Sequence, residues 1–127
     1  MQSKYYKSRA EFLNDVYHTK FKQHPQAIWS KPDGSKDVWM VRMDGKVHED
    51  WKNTRYDNTI VEEYVGNDMK KLEQNKKTGI IRVAVCIVDS PEYPTYSRYE
   101  ILGTYELDLQ HSNLSRCRVW KKISDKM

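Results

Sequence analysis

The sequence predicts an α+β fold that is mainly β: a small, strongly curved antiparallel sheet or barrel with one or two short flanking helices. Three observations predict it. Residues 80–88 are an almost unbroken β-branched and apolar run, residues 99–107 alternate apolar with polar side chains, and turn formers cut the rest into short pieces. In so small a chain, closing the sheet would also remove exposed strand edges.

The elements follow in order. Ser8-Arg9-Ala10-Glu11 has the form of a capping box, and Phe12, Leu13, Val16 and Tyr17 then fall on one side of a short amphipathic helix, residues 8–18. Between 20 and 36, Pro25, Pro32, Asp33, Gly34 and Ser35 make a loop, with Ala27-Ile28-Trp29 a short strand inside it. Asp44-Gly45 between two β-prone runs predicts a hairpin of residues 38–43 and 46–51. That register sets Met43 opposite Lys46, Val41 opposite His48 and Trp39 opposite Asp50, and it points Trp39 and Trp51 in opposite directions.

Residues 59–65 fit a helical stripe or a strand, and the strand is preferred. Residues 68–77 predict one or two helical turns ending before Gly79, with four lysines facing water as a basic edge. The run 80–88 is the expected centre of the sheet, buried on both faces apart from Arg82. After a loop at 90–95, the strand 99–107 carries Gly103 as a bulge or bend. Residues 116–123 close the chain as a last strand, with Cys117, Val119 and Ile123 expected to face in and Arg116, Arg118, Trp120 and Lys122 to face out.

Composition bounds the function. A length of 127 residues fits one domain, residues 1–127. The mean hydropathy of -0.93 is low, yet four Trp, nine Tyr and two Phe supply the buriable surface that disordered chains lack. No apolar stretch is long enough to cross a bilayer and residues 1–9 are polar, so a cytoplasmic protein without a membrane partner is expected. Cys86 and Cys117 read as reduced, buried thiols. The net charge of +4 is small enough that its clustering matters more than its size.

The expected outer face of the last strand, Arg116, Arg118, Trp120 and Lys122, combines three cations with an indole, the chemistry of base stacking and phosphate neutralisation. The bland alternative is a solvated edge strand protected by charge. Arg98 beside Tyr99 repeats the pairing of cation with aromatic. A base pocket is a further expectation: Trp39 would stack on a planar ligand, Asp50 would accept from its edge, and His48 and Tyr56 offer similar groups. No cofactor is expected, and His18, His24, His48 and His111 lack metal-ligand spacing, so they read as surface or loop residues.

The stretches Tyr99-Glu100-Ile101-Leu102-Gly103-Thr104-Tyr105-Glu106-Leu107 and Arg118-Val119-Trp120-Lys121-Lys122-Ile123-Ser124 resemble the final hairpin of PUA-like barrels, especially the SRA-like modules found beside restriction nucleases. The resemblance covers about a quarter of the chain. It implies a small curved barrel with flanking helices that binds DNA or RNA, in some members by flipping a modified base into an aromatic pocket, and it points to restriction, phage or mobile-element biology. Two other classes stay open. One is a small interaction or inhibitor protein whose exposed aromatics and arginines meet a protein partner. The other is a Mg²⁺-dependent nuclease in which Asp33, Asp50 and Lys52 converge, although catalysis is the weaker expectation.

Overall fold

The computed structural model describes residues 3–23, 25–34 and 36–127, without the side chain of Ser3; His24 and Ser35, read above as loop residues, lie outside the described residues. The chain runs β1 (Ser3–Tyr6), α1 (Arg9–Val16), β2 (Ile28–Ser30), β3 (Asp37–Val41), β4 (Asp44–His48), β5 (Trp51–Tyr56), β6 (Thr59–Tyr64), α2 (Met69–Asn75), β7 (Ile81–Asp89), β8 (Ser97–Leu107), a 3-10 turn (Leu109–His111) and β9 (Cys117–Ser124). The mainly β, α+β expectation is met. Among the described residues the strands form one nine-stranded sheet in the order β2-β3-β7-β8-β9-β6-β5-β4, with β1 added along β8.

Both helices start where their caps demand. The Ser8 hydroxyl accepts from the Glu11 amide at 3.2 Å, and the Asp68 carboxylate accepts from the amides of Lys70 and Lys71. Helix α1 then lays Phe12 and Leu13 on one face of the sheet, where Val38 and Met40 of β3 and Val83, Val85 and Ile87 of β7 complete a core with Tyr6 and Tyr99. The alternate residues of those strands form a second core on the other face, with Trp39, Ala84 and Cys86 packed against Leu102, Tyr105, Leu107, Ile60 and Trp120. β7 is an interior strand, third in the sheet order rather than at its centre, and it is buried on both faces as expected, because α1 covers one side and the inside of the sheet's curve the other.

Three expectations need correction. The sheet is mixed, because β3 runs parallel to β7 with Val38 opposite Val83 and Met40 opposite Val85. The chain between them, β4 to α2, supplies the long connection a parallel pair requires. The predicted hairpin between β3 and β4 does not form: β3 is taken up by β2 and β7, while β4 pairs with β5. The tight turn is Glu49-Asp50, whose φ angles of 51° and 69° are those of a type I′ turn. Asp44 and Gly45 lie inside β4, where the register slips and Gly45 takes φ 73° as a bulge residue. The third correction concerns Arg82, expected as the polar exception on β7 and found 1% exposed.

Gly103 is a bulge, as predicted. It has φ +132°, the β7–β8 register shifts beside it, and a Cβ placed there would stand 2.2 Å from the Ser124 carbonyl oxygen.

Candidate nucleic-acid interface

Strands β2, β3, β4, β5, β6, β7 and β9 all contribute side chains to one cavity of about 890 Å³. That is possible only if the sheet curls so that its two ends, β2 and β4, flank the same space. Ladder hydrogen bonds do not join those ends, so the sheet is a curved open one rather than a closed ring. Helix α2 adds Lys71, Gln74 and Asn75 to the wall, and Arg9, at the start of α1, reaches the cavity with its Nε donating to the Met40 carbonyl at 3.0 Å.

Two cross-strand rows build the floor. Register places Asn53 of β5 opposite Glu62 of β6, and Glu62 opposite Arg118 of β9. A second row runs Asp37, Arg82, Tyr105 and Lys122 across β3, β7, β8 and β9. The rows meet at Glu62, whose Oε1 accepts from Arg82 Nη1 at 3.0 Å, Arg118 Nη1 at 2.9 Å and Trp120 Nε1 at 3.1 Å. The Arg82 guanidinium carbon lies 4.7 Å from the centre of the Trp39 ring and 4.2 Å from that of Trp120. Desolvation by this burial pulls the Arg82 pKa below the ordinary guanidinium value, and Glu62 opposes the shift. Arg118 is held further by the Leu114 and Asn75 carbonyls and sits 5.0 Å from the centre of the Trp51 ring.

The last strand is extended and period two, as predicted, but its faces are exchanged. Trp120 is 0% and Arg118 4% exposed, whereas Ile123, expected inside, is 54% exposed. Cys117 and Val119 are half-buried. The Arg118-Trp120 face turns inward because Glu62 supplies an anion and an acceptor there, which makes a buried guanidinium and indole N–H tolerable. The other residues of the expected surface are also engaged. Arg116 donates to the Gly66 carbonyl at 2.7 Å, Lys122 pairs with Asp125 at 3.1 Å, and Arg98 pairs with Glu100 at 3.6 Å.

Of the expected base-pocket residues, Trp39 and His48 line the cavity. Trp39 lies on its floor beneath Arg82, and His48 has Nε2 at 2.9 Å from the Asp44 carboxylate. Asp50 is exposed at the Glu49-Asp50 turn, and Tyr56 is 57% exposed at the far end of β5; neither lines the cavity. The sequence reading missed Trp51, Asn53, Glu62 and Arg82 as cavity residues. Trp51 is half-buried, with its ring 5.2 Å from that of Tyr64, and shares the cavity with Trp39 because the two belong to strands on opposite sides of the curl. The alternation of Trp51, Asn53 and Arg55 against Ile60, Glu62 and Tyr64 was the signal that could have found this wall.

The residues proposed for a nuclease stay apart in role. Asp33 pairs with Lys31 at 3.8 Å in the loop between β2 and β3, Asp50 is at the β4–β5 turn, and Lys52 is on β5 opposite Glu63. Among the described residues no group of three or more His, Cys, Asp or Glu is arranged to hold a metal ion. Cys86 and Cys117 are both free thiols. No described helix is long and apolar enough to cross a membrane.

No protein-family model and no curated protein matches this chain. Among solved structures, the fold is similar to that of the 5-hydroxymethylcytosine-specific restriction enzyme AbaSI, with a TM-score of 0.70 and 24% identity. The likeness covers 95% of this chain and 38% of that one, so the chain spans well under half the length of AbaSI. The likeness is one of fold.

Proposed function

We propose that this chain is a DNA-binding domain that reads a single extruded base in the cavity described above. The observation that carries the reading is a concave site of about 890 Å³ with a half-buried indole, Trp51, on its wall and buried hydrogen-bonding groups, Asn53 and Arg82, on its floor. Pockets that take small planar ligands are about 300–1,000 Å³, with few convergent polar groups. Arg9, Lys71 and Lys77 border the same opening, where phosphates flanking an extruded base would pass. Similarity of fold to an enzyme named for 5-hydroxymethylcytosine supports DNA as the partner and a modified base as what is read.

The test is fluorescence anisotropy with duplexes carrying one cytosine or modified cytosine at the centre, at two salt concentrations. Trp51→Ala should weaken binding about tenfold, since stacking on an aromatic contributes roughly 1–3 kcal/mol per base. Lys71→Ala with Lys77→Ala should flatten the salt dependence by about one to two units of slope. Binding that ignores both Trp51 and base identity would remove the pocket from the reading.

A further inference from the structure

The cavity is not charge-balanced. Six arginines and lysines line it against three carboxylates, and of the six only Arg42 has its carboxylate, Asp89, outside the lining. On the floor, Arg82 and Arg118 share the single oxygen Glu62 Oε1 as their ion-pair partner among the described residues. Asp37 sits beside Arg82 in register and offsets its charge from a neighbouring strand, so the excess of positive charge belongs to the lining as a whole.

The hydrogen bonding is incomplete on two buried side chains of the same lining. Arg82 spends Nη1 on Glu62 and Nη2 on Thr78 Oγ1, at 3.0 and 3.2 Å, while its Nε–H has no partner among the described residues. Asn53 is 4% exposed and its Oδ1 likewise has no partner among the described residues. A cationic donor and a neutral acceptor are therefore both unsatisfied on buried side chains lining one cavity, and leaving such groups unpaired is unfavourable. A ligand that sets an N–H beside a negatively charged oxygen answers all three features: the acceptor, the donor and the excess charge. A methyl group answers none, and a hydroxymethyl group offers an acceptor without charge.

Resting on the base-reading function above, we infer that the cavity is selective for a cytosine-type base bearing an anionic substituent next to its exocyclic amine, a 5-carboxyl group being the simplest. The amine donates toward Asn53 and the carboxylate meets the Arg82–Arg118 floor. The wedge of Trp39 and Trp120 holds the guanidinium in place, so little ordering is left to the moment of binding.

The experiment compares duplexes with one central cytosine, 5-methyl-, 5-hydroxymethyl- or 5-carboxylcytosine. The carboxylated duplex should bind about tenfold tighter than the methylated one, the advantage of a charge-assisted over an absent hydrogen bond. Asn53→Asp adds a negative charge beside the amine-reading position and should reverse that preference, and Arg82→Gln should abolish it if the variant folds. Free 5-carboxy-2′-deoxycytidine and inorganic phosphate serve as competitors, and only the nucleoside should displace the duplex. Equal affinity for carboxylated and methylated duplexes, with Trp51 still required, would overturn this inference and leave base reading standing. Equal displacement by phosphate would likewise overturn it, as the mark of a general anion site. Loss of all DNA binding would refute base reading, and titration of the free nucleoside into the protein would then decide separately whether the cavity takes an anionic base.

Discussion

Replacing Glu62 by Gln is the sharpest probe of the cavity floor, because one oxygen holds two guanidinium groups and an indole. Glu62 Oε1 receives its three donors at 2.9, 3.0 and 3.1 Å, and the carboxylate is only 5% exposed. Breaking a buried ion pair by removing one partner destabilises by about 3–5 kcal/mol, chiefly because the remaining charge is left uncompensated. Glutamine keeps the shape and one carbonyl acceptor, which recovers about 1 kcal/mol, so the net loss should be roughly 2–4 kcal/mol. Against a total stability of about 5–15 kcal/mol, that is a large fraction. Urea unfolding followed by tryptophan fluorescence reads it, and a thermal melt should fall by about 10 °C for a chain of this size. Replacing the whole cluster, Glu62→Leu with Arg82→Met and Arg118→Met, should restore much of the stability while removing the proposed discrimination among bases. A single Glu62→Gln variant within about 0.5 kcal/mol of the parent would show that the cluster is not the electrostatic unit described, since that is the range of ordinary surface substitutions.

Other perturbations test other parts of the fold. Gly103→Ala forces a Cβ against the Ser124 carbonyl at 2.2 Å and a φ of +132° on an L-residue, so chemical denaturation should register a loss of about 3 kcal/mol or more; a neutral result would mean the bulge is absent. The Tyr17 hydroxyl is buried without a partner among the described residues, and burial pushes its pKa from 10.0 up to about 12. The unfolded chain therefore gives up this proton first. Stability from Tyr17 should be complete below pH 10 and lost as pH rises toward 12, a slope that Tyr17→Phe should remove while leaving stability at pH 7 equal or higher. The Arg42 hydrogen bond holds the Asp89 carboxyl below its ordinary 3.8, so its contribution is present above that pH and disappears as pH falls through the lower folded value. NMR titration of Arg42→Gln should find Asp89 back in the usual carboxylate range; an unmoved Asp89 would point to another cause.

Local patterns were legible in the sequence and their partners were not. The N-cap at Ser8, the strands read at 80–88 and 99–107 and found at 81–89 and 97–107, the bulge at Gly103 and the period of the last strand all depend on neighbours in sequence, and each was readable. Asp44-Gly45 misled because a positive-φ dipeptide serves a bulge as readily as a turn, and what decided between them was that β3 buries Val38 and Met40 beside Val83 and Val85, far along the chain. Trp39 and Trp51 were set on opposite faces by that wrong pairing. The curl of the sheet brings them to one cavity.

The exchanged faces of β9 show how a polar residue can redirect a strand. By hydropathy, Cys117, Val119 and Ile123 belong inside and Arg118 and Lys122 outside, and only a compensating group on a neighbouring strand can invert that order. Glu62 is such a group, in register with Arg118 on one side and Asn53 on the other, and it is 56 residues away from Arg118 in sequence. The alternation itself survived; its polarity was decided by the partner. A charged cluster of this kind adds little net stability over an apolar core. The cluster stands on the wall of the cavity, where it can serve the fold, the proposed base reading or both, and the leucine-methionine replacement separates those two roles directly: a stable fold that no longer discriminates bases is the outcome the proposed function requires.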